Sequence, residues 1–89
     1  MRFRPAPAVT ASVLTDGCLE LIREVEVHRF RCGPAGTAMW IALGQYDGDR
    51  VTAAGKLAIM WDKDLDLVLA EMDKWISELC DASLLHPEP

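Results

Sequence analysis

The spacing of hydrophobic and polar positions changes partway along the chain. Up to residue 32 apolar and polar residues alternate in short runs; beyond it they recur at helical spacing. The change falls within VHRFRCGPAGTAMW, residues 27–40. Val27, Arg29 and Arg31 point to one side of an extended segment, and His28, Phe30 and Cys32 to the other. Gly33-Pro34 ends the alternation and opens a helix, because a proline in the first turn gives up an N–H that has no partner there anyway. A strand therefore runs directly into a helix.

Ahead of this junction, residues 8–14 read as a strand rich in valine and threonine, with Thr15-Asp16-Gly17 as its turn. Residues 18–23 (CLELIR) read as a second strand. A tight turn near 24–26 returns the chain as a third, residues 27–32, giving an antiparallel meander with the first and third strands as edges. After the junction, a first helix spans 34–43 and stops at Gly44. Thr52 caps or leads a second helix ending near Trp61, with Ala54, Leu57, Ala58 and Trp61 inward; Gly55 inside it costs up to ~1 kcal/mol against alanine. The third helix, 65–81, carries Leu65, Leu69, Met72, Ile76, Leu79 and Cys80 on one stripe, which is core. Val68 and Trp75 fall on a shoulder of that stripe beside Glu71, and Leu67 lies further round, among Lys74 and Glu78. The fold class is α+β: a three-stranded antiparallel sheet followed by three helices, winged-helix-like, in a single domain over 1–89. Residues 1–7 and 86–89 are expected to be flexible.

Composition narrows the function. With 89 residues, 51% of them hydrophobic, the chain supports one modest core and no elaborate cleft. No apolar run reaches the ~18 residues of a membrane span. Pro5 and Pro7 interrupt what would be a signal peptide after Arg2 and Arg4, so a cytoplasmic location is expected. Cys18, Cys32 and Cys80 are isolated in sequence and read as small apolar residues, not a disulfide framework or zinc site. Asp62, Asp64 and Asp66 lack the glycine and closing glutamate of a calcium loop and read as acids favouring a helix N-terminus. No nucleophile, metal or phosphate-loop motif is present. The expectation is a protein without enzymatic activity, cofactor or metal.

A meander followed by three helices is an outline often used to bind DNA. A net charge of −5, with Asp62, Asp64, Asp66, Glu71, Asp73, Glu78 and Asp81 set against only Lys63 and Lys74 around the third helix, opposes that use. An open edge strand beside such a helix suits a different one: a peptide added as a further strand, held by backbone bonds and selected by side-chain pockets.

The segment Arg31-Cys32-Gly33-Pro34-Ala35-Gly36-Thr37-Ala38-Met39-Trp40 resembles a motif usually written R-L-N-P-T-G-A-L-I-W. That motif belongs to the PqqD-like RiPP recognition elements, which bind leader peptides of ribosomally made, modified peptides. The Asp47-Gly48 turn, the short helix after it and the closing Ala82-Ser83-Leu84-Leu85 are similar to the family's pattern in the same order. Cys32 stands where leucine is usual and Gly33 where asparagine is usual, which touches the turn geometry at the junction more than the fold. At 89 residues the chain is most similar to free-standing members. These are the leader-binding proteins of split lasso-peptide pathways, which this reading favours, and the pyrroloquinoline quinone peptide chaperone.

The resemblance implies that the third strand pairs with an extended leader peptide through Val27, His28, Arg29, Phe30, Arg31 and Cys32. The groove between that strand and the third helix would take the leader's apolar side chains, with Val68 and Trp75 as its wall; plain core is an equal reading for Trp75. Asp64, Glu71 and Glu78 would meet basic leader residues, and Arg29 or Arg31 acidic ones. The implied partners are the leader region of a precursor peptide and a leader peptidase or other tailoring enzyme, with no nucleic acid and no membrane.

Overall fold

The computed structural model describes residues 2–24 and 28–88. Its elements in order are β1 (Arg2–Pro5), β2 (Val9–Val13), β3 (Leu19–Arg23), β4 (His28–Cys32), α1 (Pro34–Gln45), α2 (Arg50–Trp61), α3 (Leu65–Asp81) and β5 (Leu85–Glu88). Strands β2, β3 and β4 form an antiparallel sheet in that order, and three helices follow it. The expected α+β architecture is present. Val27 and most of the turn before it lie outside the described residues.

The β2–β3 hairpin closes where Asp16-Gly17 predicted it. Gly17 N donates to the Leu14 carbonyl, Leu14 N donates to the Cys18 carbonyl at 2.8 Å, and the Asp16 carboxylate accepts from Cys18 N at 3.0 Å. At the far end Glu24 N donates to the Ala8 carbonyl. These two bonds fix the phase of the ladder, because hydrogen-bonded and non-bonded pairs alternate along an antiparallel pair. Thr10 and Ser12 therefore bond to β3 opposite Ile22 and Glu20. Val9, Ala11 and Val13 turn their backbone groups outward. By the same alternation Leu19, Leu21 and Arg23 face β4, pairing with Cys32, Phe30 and His28, and leave the backbone of Arg29 and Arg31 directed to the open edge.

The sheet's inner face contributes Leu19, Leu21 and Cys32 to the core, which Met39, Leu43, Ala53, Ala54, Leu57, Val68, Met72, Trp75, Ile76, Leu79 and Leu84 complete. Burying a side chain of leucine size stabilises by about 1.5–3 kcal/mol. Helix α1 begins at Pro34, as the proline required, and runs past Gly44 to Gln45. A lone glycine weakens a helix without ending it. Helix α2 begins two residues before Thr52, because Asp49 is the cap: its carboxylate accepts from Val51 N and Thr52 N. Trp61 is only half-buried, and Ala53 takes a core position that the sequence pattern left out.

The apolar stripe of α3 is rotated from the expected one. Val68 has no accessible surface and Trp75 is 8% exposed, whereas Leu65 is 41% exposed and Leu69 and Cys80 are half-buried. The shift is roughly 45° on a helix that turns 100° per residue. The apolar arc from Trp75 round to Cys80 is wider than the surface that α2, the sheet and the C-terminal segment cover, and packing selects the margin holding Val68 and Trp75.

The ends also depart from expectation. β1 pairs antiparallel with β5, Arg2 opposite Glu88 through Pro5 opposite Leu85, so the segments expected to be flexible form a second, two-stranded sheet. Phe3 N donates to the Gly48 carbonyl at 3.0 Å. Gly48 has φ +83°, and a Cβ there would lie 2.5 Å from the Phe3 carbonyl oxygen. Only glycine accepts both that dihedral and that approach. Arg2 and Arg4 bridge to Asp47 in the same turn, and Arg4 also reaches Glu88.

Candidate peptide-binding edge

Strand β4 is an edge of its sheet: among the described residues it pairs with β3 alone. Arg29 and Arg31 each present an N–H and a carbonyl outward, which is the backbone pattern an added strand needs. Their side chains lie on the face of the sheet away from the helices, opposite Ile22 and Glu20. Arg29 is exposed and sits 3.9 Å from Glu20. Arg31 lies near enough to Asp16 to help hold its carboxyl below the usual range, after the larger effect of the bond from Cys18 N. Phe30 and Cys32 project to the helical side, Phe30 packing partly against the core and Cys32 within it. The backbone of His28 pairs with Arg23.

Helix α3 comes near the Cys32 end of this strand, and the junction between β4 and α1 holds the two together. A Cβ on Gly36 would lie 2.9 Å from Cys32 Cβ and 3.1 Å from Trp75 Nε1, so a side chain there would push α1 off both. Burial raises the Cys32 thiol above its ordinary pKa, with the Trp75 indole N–H pulling the other way. That indole nitrogen is buried and makes no hydrogen bond of normal geometry. Trp75 is thus the packing post between β4, α1 and α3, and Val68 lies wholly in the core. Val68 is thus not the groove wall expected of it, and of the two readings open for Trp75 its burial fits plain core.

Leu67, Glu71, Lys74 and Glu78 follow one another at i, i+4, i+7 and i+11 on one exposed face of α3. Glu71 lines an open cleft of about 420 Å³ together with Pro34, Ala35, Trp61 and Lys63. Lys63 stacks over the Trp61 ring at 5.8 Å and lies 3.9 Å from Glu71. Glu78 is exposed and near enough to Cys32 to add to its thiol's upward shift. Leu67, one turn before Glu71, is 62% exposed. Asp64 is already engaged as the N-cap of α3, accepting from Asp66 N at 2.9 Å.

Of the residues singled out in the sequence, the structure brings Glu78 near Cys32, and Glu71 near Pro34 and Ala35 just after β4. It places Val68 and Trp75 in the core, and it leaves Val27 outside the described residues. The sequence reading set Leu67 outside the groove, further round among Lys74 and Glu78, and gave Pro34, Ala35, Trp61 and Lys63 no part in the site. Leu67 shares an exposed helical stripe with Glu71 and Glu78.

Among the described residues no group of three His, Cys, Asp or Glu side chains is placed to hold a metal ion. No described helix is long and apolar enough to cross a membrane.

No protein-family model matches the sequence. No curated protein matches it either. Among solved structures the chain is similar to TbiB1 in complex with the TbiA(beta) leader peptide, with a TM-score of 0.83 and 17% sequence identity over 97% of this chain and 98% of that one. The two share their fold over nearly their whole length.

Proposed function

We propose that this protein binds the leader region of a ribosomally made precursor peptide as an added strand on β4 and does no chemistry on it. The observation that carries this reading is the open β4 edge, with the backbone of Arg29 and Arg31 directed outward and Glu78 of α3 near its Cys32 end. Main-chain bonds to β4 supply affinity, and the stripe on α3 selects the leader's alternate side chains: an apolar residue against Leu67, basic ones against Glu71 and Glu78. Arg29 and Arg31 meet acidic leader residues only on the outer face of the sheet. The shared fold of a protein solved with a leader peptide bound supports the same reading.

Bound this way, the precursor is brought to a leader peptidase or other tailoring enzyme at raised effective concentration. A lasso-peptide pathway and a cytoplasmic location are the setting we favour, the first on the likeness of the Arg31–Trp40 segment to the family motif.

Calorimetric titration of a synthetic leader, taken from the precursor encoded beside this protein's gene, tests the reading. Saturable one-to-one binding with unchanged peptide mass after incubation is the expected result. Absence of binding to the folded protein, or cleavage abolished by a point substitution in it, overturns it.

A further inference from the structure

The same sheet has a second open edge. Among the described residues β2 pairs with β3 alone, and no strand is paired along its outer side. Edge strands are ordinarily protected by charge, proline, a bulge or a covering element. β2, with the sequence VTASV, shows none of these: its five residues pair with β3 in unbroken register, and Thr10 through Val13 are exposed. Every other strand carries at least one charged side chain: Arg2 and Arg4 in β1, Glu20 and Arg23 in β3, Arg29 and Arg31 in β4, Glu88 in β5.

From this edge we infer that two copies of the chain associate through β2, antiparallel across a two-fold axis at Ala11. The ladder phase leads to that register. Val9, Ala11 and Val13 hold the outward backbone groups, so an axis at Ala11 sets Ala11 against Ala11, and Val9 of each copy against Val13 of the other, as hydrogen-bonded pairs. The side chains agree with the register. Val9 packs against its own core, while Val13, on the same face, is 61% exposed. Pairing lays the anchored valine of one copy against the uncovered valine of its neighbour.

The helices leave room for this. Ala11 and Val13 point to the helical side of the sheet yet are exposed, so the helical layer stops short of β2 and a second strand can lie alongside. Charge permits it as well. Two chains of net charge −5 repel, and β2 is the strand of the sheet where no charged side chain opposes its copy. A two-fold contact is self-complementary, which is why a second copy fits this edge with no other partner required. Five paired residues bury less than the ~1,200 Å² below which complexes are weak, so the dimer forms reversibly at high concentration.

Sedimentation equilibrium of the full chain from ~10 µM to ~1 mM spans the range expected for so small an interface. The weight-average mass should rise from the monomer's 9.9 kDa toward twice that value. Backbone amides of Val9, Ala11 and Val13 should gain hydrogen-exchange protection over the same range. Ala11→Pro removes one outward N–H without touching the β3 ladder, and Ala11→Lys sets two like charges face to face across the axis. Both should stay folded by circular dichroism, remain at monomer mass, and bind a leader peptide as the parent does. A parent that stays at monomer mass throughout overturns the inference. So does a dimer that persists in both folded variants, or exchange protection confined to other strands. The result is independent of the leader reading, which concerns the opposite edge.

Discussion

Val68 and Leu67 are neighbours on α3 with opposite surroundings, the first without accessible surface and the second 62% exposed. Val68→Arg buries a charge among Leu, Met and Trp side chains with no partner, a cost of several kcal/mol that takes most of a small domain's 5–15 kcal/mol. The variant should lose its cooperative thermal transition by circular dichroism. Leu67→Asp should melt within a few degrees of the parent, and if the leader lies along α3 its affinity should fall about tenfold, roughly 1.4 kcal/mol of lost apolar contact. A melting loss in Leu67→Asp, or a well-folded Val68→Arg, would show that the register of α3 differs from the one described. Asp47 makes a second residue-level case. The Arg4 side-chain bond and charge hold its carboxyl below the ordinary 3.8, so the contact stabilises above that value and is lost as pH falls through the lowered one. Asp47→Asn should therefore have a lower urea midpoint than the parent at neutral pH. The gap should close as pH drops below 3.8, an order that urea titrations across the acid range can check.

At the scale of elements, strand β4 separates binding from folding by single positions. Proline at Arg29 or Arg31 removes an N–H that points to the open edge, whereas proline at Phe30 removes one that bonds β3. Arg29→Pro and Arg31→Pro should fold and lose leader affinity by about 1 kcal/mol or more for each bond removed, while Phe30→Pro should lose stability itself. Titration and urea unfolding of the three variants read the alternation directly; equal binding by folded Arg29→Pro, Arg31→Pro and parent would place the leader elsewhere. This edge was legible in the sequence, because alternation from Val27 to Cys32 and the break at Gly33-Pro34 fix which side chains face in and where the strand stops. The wall opposite it was not. Val68, Trp75, Leu65 and Leu69 form one broad apolar arc, and periodicity supplies an arc without saying which margin its neighbours cover. Asp49 was missed as the cap of α2 because Thr52 is an equally good capping residue type, and only the hydrogen bonds decide between them.

The whole molecule ties its ends together, and here the sequence misled for a physical reason. The proline-bearing ends were expected to be flexible, yet Pro5 and Pro87 each lie in a two-stranded ribbon at positions directed away from the partner strand, where a missing N–H costs no ladder bond. That ribbon leaves a sheet, three helices and an outline close to a winged helix, so DNA binding is the rival that charge must exclude. Asp64, Asp66, Glu71, Asp73, Glu78 and Asp81 are all exposed along and just ahead of α3. Asp73 engages Arg50 and Glu71 engages Lys63, which takes up two of the nearby cations. Duplex DNA carries one negative charge per ~1.7 Å of its axis, and sequence-independent affinity comes from Lys and Arg displacing its counterions. A helix with this balance gains nothing from that exchange and meets repulsion on entering the groove. The chain should therefore leave a fluorescent duplex unshifted in an electrophoretic assay at physiological salt, and lowering the salt should not recover binding. A sub-micromolar shift that weakens steeply with added salt would mean that the basic groups elsewhere, Arg29 and Arg31 first among them, outweigh α3, and would make β4 a phosphate-facing strand instead of a peptide-pairing one.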